Sequence, residues 1–336
     1  MSTDALWISE AEVVDLIDLA GAITALEAAL KGEAQGSAQN MTKTLLQYGN
    51  NNLHAIGGRL AGFVGTKTWT HTQGGTCPLL LLWSAEDGSL VAVIEAFALG
   101  SLRTGGISGL ATSWMADEKA SVMAIAGTGK QALAQVGAIV AVRRIERVQI
   151  YSLHAESRVA FAGNVAREFG VEGVPCASME RACRDAPIVT LVTRASEPFL
   201  SAAALDRGAH LNAVGAIAPD REEFAQDVFA RADLVAVDNL PGVQQLSREF
   251  ITQYSPDRWD AVMPLSALIE SGRKRSGGTD LSIFKAMGMG ISDLALGVEI
   301  VTRARTRGAG RVIPQPKKQK PQLSRTRVKN PAEGVG

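Results

Sequence analysis

Apolar positions change their period twice along this chain. Near the start, Val13, Leu16, Ile17, Ala20, Ile23 and Leu26 recur at helical spacing. Ser9 and Glu12 precede them with the spacing of a capping box, in which hydroxyl and carboxylate each take an orphan amide. Residues 1–30 are therefore expected to be helical. Residues 31–52 are polar and rich in Gly, Gln and Asn, and the pattern assigns them no element. From 60 to 96 the period shortens. LAGFVGTKTWT carries β-branched and aromatic residues, and LLLLWSA and LVAVIEA flank Glu86-Asp87-Gly88-Ser89, a sound hairpin turn. An antiparallel sheet follows from this, then a helix over LRTGGISGLATSWM whose small residues suit close packing.

From residue 121 the pattern alternates strand and helix. VMAIA leads into a helix ending near Val142, and VQIYS into one from about Glu156 to Phe169. PIVTLVT, HLNAVGA and DLVAVD read as further buried strands, with a last helical stretch near 291–306. Repeated βα units predict an α/β fold with a Rossmann-type doubly wound parallel sheet.

Composition changes little here. The 336 residues are 46% hydrophobic and 20% charged, as in ordinary globular proteins of about two domains. The zero net charge conceals a tail. Pro314 to Gly336 holds six Lys/Arg, one Glu and four prolines, which predicts a disordered, solvated basic end and leaves the body mildly acidic. Cys77, Cys176 and Cys183 fit neither a disulfide framework nor a zinc spacing. The start has no signal-peptide pattern, and no apolar run is long enough for a membrane span. A cytoplasmic protein with no metal, nucleic-acid or membrane role is expected.

The candidate chemistry begins at GTGKQA. Gly127 permits a sharp turn after the VMAIA strand, Gly129 admits close approach of a phosphate, and Ala132 stands where a third glycine often falls. With Thr128 and Gln131, these residues open a helix whose free amides suit a pyrophosphate. The next strand ends Tyr151-Ser152-Leu153-His154, with no acid for a ribose 2′-hydroxyl. Ser152, His154 and Arg158 can instead face a 2′-phosphate, which favours NADP over NAD. Two cations stand among apolar neighbours, Lys67 in GFVGTKTWT and Arg103 in GSLRTGG. Either they snorkel to the surface, or they turn inward as a carboxylate clamp in which Lys67 serves as acid or base.

These residues, with VGTKTWT, DGSLVAVIEAFALGSLRTGG, AIAGTGKQA, EPFL, HLNAVGAIAP and IFKAMGMGISDLAL, make the chain resemble the ornithine cyclodeaminase/μ-crystallin family from about residue 8 to 310. The resemblance implies a homodimer. It also implies an α+β substrate-binding and dimerisation domain from residues 1–114 and 291–313, around a Rossmann dinucleotide-binding domain at 115–290, with 314–336 as tail. It implies that Lys67 and Arg103 hold a substrate carboxylate near the nicotinamide, and that Thr104, which follows the arginine, is among the residues that bind the cofactor. Lys43 stands where many members carry a further arginine. Thr193, Val214 and Gly215 match segments that approach the cofactor ring, and Phe284 and Lys285 either line the site or form a core and surface pair.

One departure directs the functional reading. Cyclodeaminases carry an aspartate at the position of Ile217, and an isoleucine handles no proton. Asp220 lies three residues on. The expectation is an NAD(P)H-dependent reductase of an imino acid such as Δ1-pyrroline-2-carboxylate. The alternatives are an ornithine cyclodeaminase or amino-acid dehydrogenase of the same family, or an NADPH-dependent ligand-binding protein. His54 and His71 have no recognisable acid partner, and His210 at a strand start reads as structural.

Overall fold

The computed structural model describes residues 4–254 and 256–323. The first part of the chain forms strands β1 (Ala5–Ile8), β2 (Ala38–Asn40), β3 (Thr44–Tyr48), β4 (Asn51–Leu60), β5 (Phe63–Thr72), β6 (Gly75–Thr76), β7 (Leu79–Ser84) and β8 (Leu90–Glu95). Helices α1 (Glu10–Leu16), α2 (Leu19–Ala34) and α3 (Phe97–Met115) accompany them.

The region after α3 alternates as its sequence suggests. It comprises β9 (Val122–Ala126), α4 (Ala132–Val142), β10 (Arg147–Tyr151), α5 (Ala155–Phe169), β11 (Glu172–Pro175), α6 (Met179–Cys183), β12 (Ile188–Leu191) and β13 (Ala209–Ala213). It continues through β14 (Ala232–Val237), α7 (Leu240–Leu246), α8 (Arg248–Gln253), β15 (Met263–Pro264), α9 (Leu265–Glu270) and β16 (Leu281–Lys285). The chain then returns to the first sheet through α10 (Gly290–Arg307) and β17 (Arg311–Ile313).

The first sheet has the order β17-β1-β8-β7-β5-β4-β2, with β3 on β4 and β6 on β5. The β7–β8 hairpin forms where Asp-Gly stands: Gly88 takes φ 72°, and the Asp87 carboxylate accepts from the Ser89 amide. The second sheet is parallel throughout, in the order β11-β10-β9-β12-β13-β16-β14-β15. Its order reverses between β9 and β12, and open α/β sheets take their ligands at such a reversal.

Several expectations need correction. Residues 1–30 are not helical throughout, because Ala5–Ile8 pairs with β8 and β17 as a strand. The helical pattern that follows breaks at Ile17-Asp18. Asp18 caps a second helix by accepting from the Gly21 amide, an Asx cap that residue periodicity does not register. The capping box at Ser9 and Glu12 does form. In the unassigned stretch, α2 runs on to Ala34 and two short strands follow before β4. The fully buried strand β16 enters between β13 and β14 although the sequence pattern did not reveal it.

The small residues of α3 pack as expected. A Cβ on Gly105 would lie 2.6 Å from the Ala134 carbonyl, and one on Gly109 2.7 Å from that of Ala138. Backbone contact with α4 on one side and packing on α2 on the other make α3 the joint between the sheets. Of the expected basic tail, residues 324–336 lie outside the described residues. Residues 314–323 form no helix or strand, yet the Gln315 side chain bonds both backbone groups of Leu90. Among the described residues no helix is long and apolar enough to cross a membrane, and no cluster of metal-binding side chains occurs.

Candidate active site

The carboxyl ends of the parallel strands converge on one edge. Gly127, just past β9, has φ 107° and donates its N–H to the Tyr151 carbonyl. A Cβ there would lie 2.7 Å from the Val192 carbonyl, so the turn is closed to other residues. The opposite holds at Gly129, where a Cβ would meet nothing within 4 Å. That open space lies ahead of α4, whose N-cap residue Gln131 makes no capping bond and keeps Oε1 buried without a partner. Uncapped amides, a buried amide side chain lacking a partner, and room for an approaching group fit a dinucleotide pyrophosphate.

Beyond β10 the structure brings Ser152, His154 and Arg158 together. Ser152 Oγ donates to the His154 carbonyl at 3.2 Å, and Arg158 Nη1 donates to the Ser152 carbonyl at 2.5 Å. Past β12 and β13, Thr193 and Gly215 touch: a Cβ on Gly215 would stand 2.2 Å from the Thr193 carbonyl. Val214 is buried just before it. Ile217 stands 45% exposed.

The two cations turn inward. Lys67 on β5 is 4% exposed, and its Nζ lies 2.5 Å from Asp293 Oδ1 in the first turn of α10. Arg103, on α3, brings Nε to 3.4 Å from the same oxygen. Its guanidinium lies over Gly288, where a Cβ would come within 3.0 Å of Nη1. Behind Gly288, the buried Asp238 carboxylate accepts from the Met287 and Gly288 amides, both at 2.8 Å. Lys43 joins the group from the chain before β3. It is exposed, but surrounding protein and then the Arg103 charge lower its pKa. Thr104 serves the scaffold: its hydroxyl donates to Gly100, and its carbonyl accepts from Gln135 of α4.

Burial depresses the Lys67 pKa to about 8. The Asp293 charge opposes this, and Arg103 and Lys43 reinforce it. Lys67 also lies 5.1 Å from the centre of the Trp69 ring, on which His54 stacks at 4.7 Å. His54 has its pKa lowered by burial, then by Lys43 and His71. Lys67 and Arg103 thus share the Asp293 carboxylate, whose second oxygen is buried without a partner, and Lys43 is near enough for its charge to act on Lys67. Such a cluster has positive charge to spare for a small anion.

Asp293 is the member of this cluster that the sequence alone does not single out. It lies inside IFKAMGMGISDLAL, and the available signal was a single acid in an otherwise apolar helix start. The other outcomes are plain. Lys285 is not a surface residue: it is fully buried beside Phe284 and bonds the Ala216 carbonyl and Glu249. His210 is structural, bonded to Ser282 and Asn212, with burial pushing its pKa down to about 3. His71 is exposed.

The parallel sheet and the glycine corner at its order reversal define a Rossmann-type protein, with the Lys67, Arg103 and Asp293 cluster where α3, β5 and α10 meet. The sequence model described as the ornithine cyclodeaminase/mu-crystallin family matches residues 4–308, and the chain belongs to that family. A Delta(1)-pyrroline-2-carboxylate reductase of Bacillus cereus (strain ZK / E33L) is 30% identical over 239 residues, which is 70% of this chain and 73% of that protein. An alanine dehydrogenase of Archaeoglobus fulgidus is 27% identical over 324 residues, 92% of this chain and 98% of that one. Among solved structures, an archaeal alanine dehydrogenase dimer with bound NAD superposes with a TM-score of 0.85 at 26% identity, covering 92% of this chain and 99% of the other.

Proposed function

We propose that the protein is an NAD(P)H-dependent oxidoreductase that reduces an imino acid, a carboxylate next to a C=N carbon such as Δ1-pyrroline-2-carboxylate, to the amino acid. The observation that carries this reading is the pair Lys67 and Arg103 turned inward on the Asp293 carboxylate, with the Lys43 charge close to both. Kinship with the Bacillus reductase supports it.

Bound nicotinamide would supply the hydride. The remaining work falls to this chain. Arg103 and Lys67 bind the substrate carboxylate, Arg103 through a planar fork and Lys67 through an ammonium. Asp293 keeps Lys67 oriented and charged despite its burial. A substrate already protonated on nitrogen needs only the hydride at carbon, and the amine then holds the former double-bond electrons. For a neutral imine, the Lys67 ammonium is the available proton source, and a pKa of about 8 makes that transfer easier than from an ordinary lysine. Ile217 offers no acid–base group, in keeping with a reduction that needs no loss of ammonia.

The residues fitted to the cofactor are Gly127, Thr128, Gly129 and Gln131 at the pyrophosphate, and Thr193, Val214 and Gly215 at the ring end. Ser152, His154 and Arg158 take the ribose side. Tyr151 to His154, where β10 ends, offer no carboxylate, which favours NADP. The exposed apolar residues Met41, Leu45, Leu46, Tyr48, Leu53 and Val64 give the N-terminal sheet a surface suited to a second copy, so a homodimer is proposed. The free thiols suit the cytoplasm.

The full-length match to alanine dehydrogenase keeps one other reading in play, reductive amination of an oxo acid. An oxidation assay with NADPH and NADH against cyclic imino acids, oxo acids plus ammonia, and ornithine separates the two. We expect the cyclic imino acid with NADPH to be fastest. Lys67→Ala should lower kcat/KM at least a hundredfold with cofactor affinity within about threefold. Equal rates for variant and parent would remove Lys67 from the mechanism.

A further inference from the structure

The strongest unused feature is a buried polar network beneath the ends of β12 and β13. Glu223 is fully buried, and its carboxylate accepts from four donors. Oε1 takes the Thr193 amide at 2.6 Å and the Thr193 hydroxyl at 2.8 Å. Oε2 takes the Gly215 amide at 2.9 Å and the Ala216 amide at 3.0 Å. One oxygen thus serves the chain leaving β12, and the other serves the chain leaving β13.

The far side of the same loop is held as well. Lys285 Nζ donates to the Ala216 carbonyl at 2.6 Å and to Glu249 Oε2 at 3.1 Å. Glu249 Oε1 accepts the backbone amide of Glu223 at 3.1 Å, and Ser247 donates to its other oxygen at 2.9 Å. The glycine at 215 permits this closeness, since a Cβ there would lie 2.4 Å from Glu223 Oε1.

The bonds fall past the strands. The β12–β13 ladder from Ile188–His210 to Leu191–Ala213 is complete without Glu223. What Glu223 adds is the relative position of Thr193, Gly215 and Ala216, and through them the outward aim of Ile217. We infer that Glu223 is a positioning residue, which fixes the two loops against which the nicotinamide end of the dinucleotide is held. The inference rests on the proposed cofactor reading and assigns a duty to a side chain that touches neither cofactor nor substrate.

The chemistry requires a carboxylate. Both oxygens accept, and each faces N–H donors. A glutamine has one accepting oxygen and one NH2, so one loop would meet donor against donor. The effect should be confined to one end of the cofactor, because the pyrophosphate turn at Gly127 and the Ser152–Arg158 group share no hydrogen bond with Glu223.

Calorimetric titration of the full chain with NADPH, and separately with 2′-phospho-ADP-ribose, which lacks the nicotinamide, tests this. For Glu223→Gln we expect NADPH to bind about tenfold more weakly and 2′-phospho-ADP-ribose within twofold of the parent. In turnover, KM for NADPH should rise while KM for the imino acid stays within twofold. Equal weakening of both ligands would make Glu223 a general structural residue and overturn the inference, as would unchanged NADPH binding. Should Glu223→Gln not fold, Glu223→Asp carries the same test, since its shorter charged arm cannot span both loops. A parent chain that binds NADH and neither 2′-phosphorylated ligand moves the same comparison to NADH and ADP-ribose, with the same outcomes expected, and one that binds none of the four overturns the cofactor reading and this inference with it.

Discussion

At Lys67 the outcome turns on one proton. Its pKa of about 8 belongs to the free protein, so kcat/KM should fall above that pH as the anchoring charge is lost. Asp293→Asn removes the charge that raises the Lys67 pKa, while the depressing influence of burial, Arg103 and Lys43 remains. The high-pH limb of the kcat/KM profile should therefore move to lower pH, with kcat/KM at neutral pH reduced at least tenfold. An unmoved limb would assign that titration to another group. The cations were legible because Lys67 stands out among strand formers and Arg103 among the small and apolar residues of a helix, and the family resemblance points to both. Asp293 was not, because an acid in a first helical turn has an ordinary explanation in the helix dipole. The network at Glu223, Glu249 and Lys285 was equally hidden, since its members lie far apart in sequence and only the crossing of β16 gathers them.

Elements with a strong period could be read directly, and those that depend on distant partners could not. The glycine corner, α4, α5 and the β7–β8 hairpin carry their own turn and helix signals. Strand β1 and strand β16 are short, and both gain their hydrogen bonds from strands far away in the chain. Helix α3 shows the limit in another way. Its small residues announce close packing but not what lies against them, which proves to be the α4 backbone. Gly109→Ala sets a methyl 2.7 Å from the Ala138 carbonyl, which forces the helices apart. It should destabilise the protein by about 1–3 kcal/mol, measured as a lower urea midpoint with an unchanged m-value. A neutral result would show that α3 and α4 can separate freely.

For the molecule as a whole, the βα alternation foretold the parallel sheet, and the return of α10 to the N-terminal sheet came only with the family resemblance. Association is the property to test at this scale. The exposed leucines of β3 have no partner within the described residues that would bury them, with Leu46 59% exposed. Light scattering should give about twice the 35.4 kDa chain mass, and Leu46→Glu should shift the protein toward a single chain. A parent protein of one chain mass would exclude the dimer.

The order in which the chain is made has its own effect at the cationic pocket. Lys67 and Arg103 leave the ribosome early, but their shared counter-charge at Asp293 is among the last fifth of the residues to be made. Until α10 emerges, the partly synthesised polypeptide has two mutually repelling side chains at the spot where they are to be enclosed, so that wall must stay hydrated and open. Ribosome-bound fragments stalled before residue 290 should thus be cut readily by proteases around β5, and become resistant there once the final helix has docked.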